Sequence, residues 1–69
     1  MRCRVIYKPI NGSATIYPTR WFPRLHMCHA DSDRIEARTF EYVPGFGREI
    51  WLNLNNGLLY YRSYVVKLK

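Results

Sequence analysis

Two groups of side chains in this sequence have the chemistry to act on another molecule. The first is His26-Met27-Cys28-His29, with Asp31 just behind it and Cys3 far upstream. Imidazoles and thiolates are ordinary zinc ligands, and a thiol beside an imidazole is the raw material of a nucleophile. The spacing suits neither use. An extended backbone would put His26 and Cys28 on one side and His29 on the other, and no second CxxC or HxxxH pair completes four ligands. Cys3, His26, Cys28 and His29 are therefore only weak metal candidates, in a chain expected to hold neither metal nor cofactor. The carboxylates Asp31, Asp33, Glu36, Glu41 and Glu49 form no recognisable acid and base pair. The expectation is a protein that is not an enzyme.

The second group lies around Asn56-Gly57, the strongest hairpin signal in the chain. A two-residue turn there would oppose Leu54 to Leu59, Asn53 to Tyr60, Leu52 to Tyr61 and Trp51 to Arg62. Opposed residues share a face. One face then carries Ile50, Leu52, Leu54, Leu59, Tyr61, Ser63 and Val65 and reads as core. The other carries Trp51, Asn53, Asn55, Leu58, Tyr60, Arg62 and Tyr64, which mixes aromatic planes with a guanidinium and amides. Unstacked bases suit such a surface, since each aromatic ring offers about 1–3 kcal/mol of stacking and Arg adds cation–π contact; the alternative is that Trp51, Tyr60 and Tyr64 are buried under the loop at Trp21-Phe22 or under another strand.

Charge supports the same direction. Eleven Lys and Arg against five Asp and Glu give a net charge of +6, which attracts polyanions or acidic protein surfaces. Residues 1–30 carry a net +5 and residues 50–69 a net +3, whereas residues 31–49 hold every acid and come to −2. If the first and last strands lie side by side, Arg2, Arg4, Lys8, Lys67 and Lys69 join Arg62 in one field. Eight of the eleven basic residues are Arg, whose planar fork binds phosphate or carboxylate bidentately.

The elements that would position these groups can be read from alternation and turn residues. Residues 2–8 place Cys3, Val5 and Tyr7 on one side and Arg2, Arg4 and Lys8 on the other, a strand with a basic face. Pro9-Ile10-Asn11-Gly12 turns the chain, and residues 13–17 return as a second strand. Residues 18–23 read as a packed loop, because Pro18 and Pro23 lack a ladder donor. Residues 24–30 are ambiguous and lean toward strand. Residues 35–43 read as extended, with one short helix near residues 31–41 as the alternative, on the capping pattern of Asp33 and Glu36. Residues 48–55 and 58–68 form the hairpin. Gly45-Phe46-Gly47 resembles fragments of phosphate loops and of the RNA-recognition motif, but it lacks the Lys, the third Gly and the second stacking aromatic, and it carries no assignment.

The expected fold is one domain over residues 1–69, mainly β: four to five short antiparallel strands in a curled sheet or a small SH3-like or OB-like barrel. Eleven aromatic residues compensate by dense packing for a core that is small at this length. The leading functional expectation is a non-enzymatic nucleic-acid-binding module. Single-stranded DNA or RNA is favoured, because no recognition helix is apparent. Trp51, Tyr60, Arg62 and Tyr64 would stack or clamp, and Arg2, Arg4, Lys8, Lys67 and Lys69 would hold phosphate. The alternative is a small inhibitor or adaptor, of the kind viruses and mobile elements encode, docking on an acidic host protein, with an edge strand also offering a route to a homodimer. No apolar run approaches the roughly 18 residues of a membrane span, so no membrane partner is expected. The charged start at Arg2 and Arg4 interrupts any signal sequence, and two cysteines make no disulfide framework. A cytoplasmic location follows as the expectation.

Overall fold

Apolar and basic residues alternate from Cys3 to Lys8, a period that extended backbone sorts onto two faces. The computed structural model describes residues 1–12, 15–46 and 49–68. Its first strand, β1 (Arg2–Pro9), buries Cys3, Val5 and Tyr7 completely while Arg2 and Lys8 are exposed. The predicted return strand reduces, among the described residues, to β2 (Tyr17–Pro18); residues 13 and 14 lie outside them. A helix α1 (Leu25–Thr39) leads into β3 (Phe40–Tyr42), β4 (Ile50–Asn53) and β5 (Leu59–Lys67). The five strands form one antiparallel sheet in the order β2-β1-β5-β4-β3. The protein is thus mainly β, and of the two shapes foreseen it takes the open sheet. β2 and β3 stand at opposite edges and close no barrel.

The helix corrects two expectations. Within the predicted 24–30 segment residues 25–30 are helical rather than extended, with Arg24 the extended residue before them, and the extended stretch predicted for residues 35–43 begins only at Phe40. The buried stripe explains why periodicity did not reveal it. Cys28, Ser32 and Glu36 recur at the four-residue spacing of one helical face, joined by Asp31 and the half-buried Ile35, but most of these are polar. An apolar pattern at period 3.6 is therefore absent although the geometry is helical. The helix starts at Leu25, well before the predicted cap at Asp33. It stops where Phe40 turns extended and donates its N–H to the Glu36 carbonyl, with Arg38 in the last turn facing the negative end of the helix dipole.

The hairpin at Asn56-Gly57 exists, but its loop has four residues. Asn53 N–H donates to the Leu58 carbonyl (2.9 Å), and Asn53 Oδ1 accepts from Asn55 N–H (2.8 Å) and Asn56 N–H (3.3 Å). Gly57 takes φ +73°. A two-residue type I′ turn would need positive φ at Asn56 as well, and no described non-glycine residue has it. The Asn53 side chain holds the wider loop instead. Trp51 therefore faces Tyr60 and not Arg62. This slides the register by two residues on β5, so the division into two faces is unchanged.

What changes is which face is interior. β1 pairs with β5 so that Val5 faces Tyr64, Tyr7 faces Arg62 and Pro9 faces Tyr60. Cross-strand partners share a face, so the core side of β1 carries Tyr60, Arg62 and Tyr64 inward with it. Helix α1 covers that side. The core joins Cys3, Val5, Tyr7, Cys28, Phe40 and Tyr60, with Tyr7 stacked on Phe40 (4.5 Å between centroids, 17° between planes) and Phe40 edge-on to Tyr60 (5.7 Å).

Candidate polyanion-binding surface

The four side chains predicted to form a stacking platform line the helix-covered face. Tyr60 is 3% exposed and its hydroxyl accepts a hydrogen bond from Asn56 Nδ2 (3.0 Å). Tyr64 Oη lies 3.0 Å from Ser32 Oγ of α1, and its ring packs on His29 (4.6 Å). Trp51 packs against the core and edge-on to Tyr42 (5.1 Å). Arg62 donates through Nη1 to both oxygens of Glu36 (3.0 and 2.9 Å) and through Nη2 to Glu49 (3.1 Å). The expectation of an outward aromatic and arginine face is corrected. The alternation was right, but the second strand's partner put that face under the helix.

Under α1 these groups make a polar cluster. Tyr7 Oη donates to Glu36 Oε2 (2.6 Å), so one buried carboxylate serves a phenol and a guanidinium. Burial raises the Glu36 carboxyl above the usual range despite the opposing pull of Tyr7 and Arg62. Burial and then Glu36 push the Tyr7 phenol up strongly, and Tyr64 is raised by burial. For Arg62, desolvation opposes the charge, but Glu36, Tyr64 and Glu49 outweigh it and strengthen the proton's hold. The cluster joins helix to sheet.

The cysteines meet in the same interior. Cys3 and Cys28 are free and fully buried, and burial together with the Cys3 thiol pushes the Cys28 thiol up to about 12. A nucleophilic thiolate needs the opposite shift. His26 is exposed on α1 and His29 lies against Tyr64. Among the described residues no three His, Cys, Asp or Glu side chains come together as a metal would require.

The predicted cations fare differently. Arg2, Arg4 and Lys8 occupy the other face of β1, and Arg2 is the direct cross-strand partner of Lys67. This face lies on the side of the sheet away from the helix. Lys8 sits opposite Tyr61 at the far end of the row, about 20 Å from Arg2 at 3.3 Å per residue. Lys69 lies outside the described residues. Of the acids, Asp31, Asp33 and Glu36 are on α1, Glu49 pairs with Arg62, and Glu41 is on β3, three strands from β1 and so about 14 Å away.

One aromatic residue that sequence reasoning assigned to a loop completes this surface. Residues 18–22 run antiparallel along the edge of β1. Thr19 N–H donates to the Val5 carbonyl (3.0 Å), its Oγ1 accepts from Val5 N–H (3.1 Å), and Phe22 and Cys3 exchange two backbone bonds (2.7 and 2.6 Å). Three residues step from Thr19 to Phe22 while two step from Val5 to Cys3. The extra residue is a bulge, which turns the Thr19 carbonyl out of the ladder. Arg4 captures it through Nε (2.8 Å) and Nη2. Phe22 then faces the core and Trp21 faces the other way, onto the cations. The Arg4 guanidinium carbon is 4.9 Å from the Trp21 ring centroid, that of Arg2 5.5 Å, and Lys67 Nζ 5.1 Å. Arg20 is not part of this group: it lies 5.0 Å over the core-facing Phe22 ring.

An indole ringed by three cations has an electrostatic cause and a consequence. Like charges placed directly across a ladder repel, and the negative face of the indole offsets part of that repulsion at about 0.5–1 kcal/mol per exposed contact. Of the remaining positive potential, the Arg4 part is held in position by the Thr19 carbonyl, and the ladder sets Arg2 opposite Lys67. The sequence signal for this was the run Arg20-Trp21-Phe22 between two prolines, where an aromatic pair in a basic segment must put one ring on each face of an edge. No protein-family model, curated protein or solved structure shows significant similarity to this chain. No helix among the described residues is long and apolar enough to cross a membrane.

Proposed function

We propose that this protein is a non-enzymatic nucleic-acid-binding module that holds single-stranded DNA or RNA on the open face of its sheet. The observation that carries the reading is the gathering of Arg2, Arg4 and Lys67 within 4.9–5.5 Å of the Trp21 ring. Lys8 extends the cationic row along β1, and Tyr61 adds an aromatic ring opposite it. Phosphates bind the cations and bases stack on exposed ring edges and faces, a combination that suits unpaired strands. Helix α1 is mixed in charge and lies behind the sheet, which does not suit a major groove. Two buried free thiols fit a reducing, cytoplasmic setting.

Salt dependence tests the reading. Four phosphate contacts from Arg2, Arg4, Lys8 and Lys67 give a slope of log K against log salt of about −2.8 for a single strand, or about 50-fold weaker binding between about 50 and 200 mM. Fluorescence anisotropy with labelled oligo-dT measures it. The double variant Arg2→Gln, Lys67→Gln should halve the slope without lowering the urea midpoint, since it also removes a like-charge pair. No binding at the lower salt, or a slope that the double variant leaves unchanged, would overturn the proposal.

A second reading has its own support. Among the described residues β4 pairs with β5 only from Leu59 to Tyr61, with one further bond from Arg62 N–H to Glu49. The rest of β5 is flanked by β1 on one side, leaving an edge beside Lys67. An extended segment of an acidic protein would add there as a strand, making the chain an adaptor or inhibitor. Binding to such a partner would survive nuclease treatment and would protect the amides of Tyr64 and Val66 from exchange. Unprotected amides in the complex would refute it.

A further inference from the structure

We infer that a second site, separate from the open face, takes a nucleoside monophosphate in the cavity between α1 and the segment that follows β2. The cavity measures about 370 Å³, within the roughly 300–1,000 Å³ of small-ligand clefts. Arg20 enters from the sheet edge, and Arg34 and Arg38 from successive turns of the helix. Three guanidiniums meet one carboxylate there, since Asp31 is the cavity's acid. Asp31 is almost fully buried and accepts from Arg34 Nη2 at 2.7 Å. That pair leaves Arg20 and Arg38 as the forks that can close on an anion, with a net charge of +2 in the site. Arg20 and Arg38 line the same cleft from two different elements, and two guanidiniums in one cleft suit a phosphate.

The same cleft has an apolar and aromatic lining. Tyr17 and Pro18 supply it from the β2 side and Ile35 from the helix. Tyr17 is fixed edge-on to Tyr7 (6.0 Å, 87°) and to Phe40 (5.8 Å, 79°), so the core holds its ring in place while 39% of the residue remains exposed. A fixed aromatic plane within one cleft of two guanidiniums separates the two ends of a nucleotide: base against Tyr17, phosphate between Arg20 and Arg38. Free inorganic phosphate would use only half of the site.

Chemical-shift perturbation of the isotope-labelled protein by adenosine monophosphate, inorganic phosphate and adenosine tests this. The monophosphate should saturate at millimolar concentration, moving the amides of Arg20, Arg34 and Arg38 and the ring of Tyr17. Phosphate and adenosine should each bind at least about tenfold more weakly, and Arg38→Gln and Arg20→Gln should each weaken the monophosphate about tenfold, the effect of one charge-assisted bond. Both arginines are exposed, so the variants keep the fold, and the salt slope for oligo-dT should be unchanged in Arg38→Gln, which separates this site from the open face. Shifts confined to Trp21 and β1, equal affinity for phosphate and monophosphate, or an unaffected Arg38→Gln would each overturn the assignment.

Discussion

Replacing Glu36 by Gln isolates the contribution of the buried polar cluster. The substitution keeps the side-chain volume, so no cavity term enters. It removes the charge that accepts from Tyr7 Oη at 2.6 Å and from Arg62 Nη1 at 2.9 and 3.0 Å, and it turns one acceptor into an N–H₂ that faces other donors. Breaking a buried ion pair by removing one partner costs about 3–5 kcal/mol. Arg62 keeps Glu49 and its side chain is 15% exposed, which places this case at the low end, about 3 kcal/mol. A domain of this size has only about 3–5 kcal/mol in total, so the variant should be close to its midpoint at room temperature. Urea titration followed by tryptophan fluorescence reads the change. Combining Glu36→Gln with Arg62→Met should cost less than the sum of the two single variants, because no unpaired cation then remains. A loss below about 0.5 kcal/mol, or strictly additive losses, would refute the claim that these groups form one buried unit.

Three further outcomes follow from the same geometry. Burial first of all raises Tyr7, Tyr64 and Cys28 above their unfolded values, near 10, 10 and 9, so the folded chain keeps protons the unfolded chain has lost. The stability these three groups contribute is then intact below about pH 9 and is lost as pH climbs further; the urea midpoint should drop as pH rises from about 9 toward about 12, less so in Tyr7→Phe, and a flat midpoint would contradict this. Thr19→Val deletes the hydroxyl that bridges Val5 N–H and the Val5 carbonyl at 3.1 Å, and chemical denaturation should register a loss of about 1–2 kcal/mol. Gly57→Ala meets no atom within 4 Å but must hold φ +73°, so its cost should be the backbone term alone, about 1 kcal/mol, with no change in the denaturant slope.

The buried helix marks where periodicity stops being informative. Its inward stripe of Cys28, Ser32 and Glu36 is largely polar because the sheet beneath it presents Arg62, Tyr7 and Tyr64, with Ser32 bonded to Tyr64 and Glu36 to Tyr7 and Arg62. A pattern of apolar residues cannot report a face that is buried through hydrogen bonds. Trp21 was legible as an aromatic residue in a basic segment, but its position over three cations depends on a bulge that exists only once Phe22 has docked on Cys3.

Local chemistry alone settled the extended state of residues 2–8, the separation of β1 into a basic and an apolar side, the reversal near Gly57, the parity of the hairpin and the strong positive charge. Alternation and positive φ are properties of a few adjacent residues, and neighbours suffice to specify them. The three-dimensional chain decided which side of β5 became interior, how far the hairpin slid and where the cations collected. The interior side and the cation cluster depend on partners dozens of residues away, since β1 aligned Val5 with Tyr64 and Arg2 with Lys67, whereas the slide came from the Asn53 side chain, which held a wider loop than the turn residues alone would set.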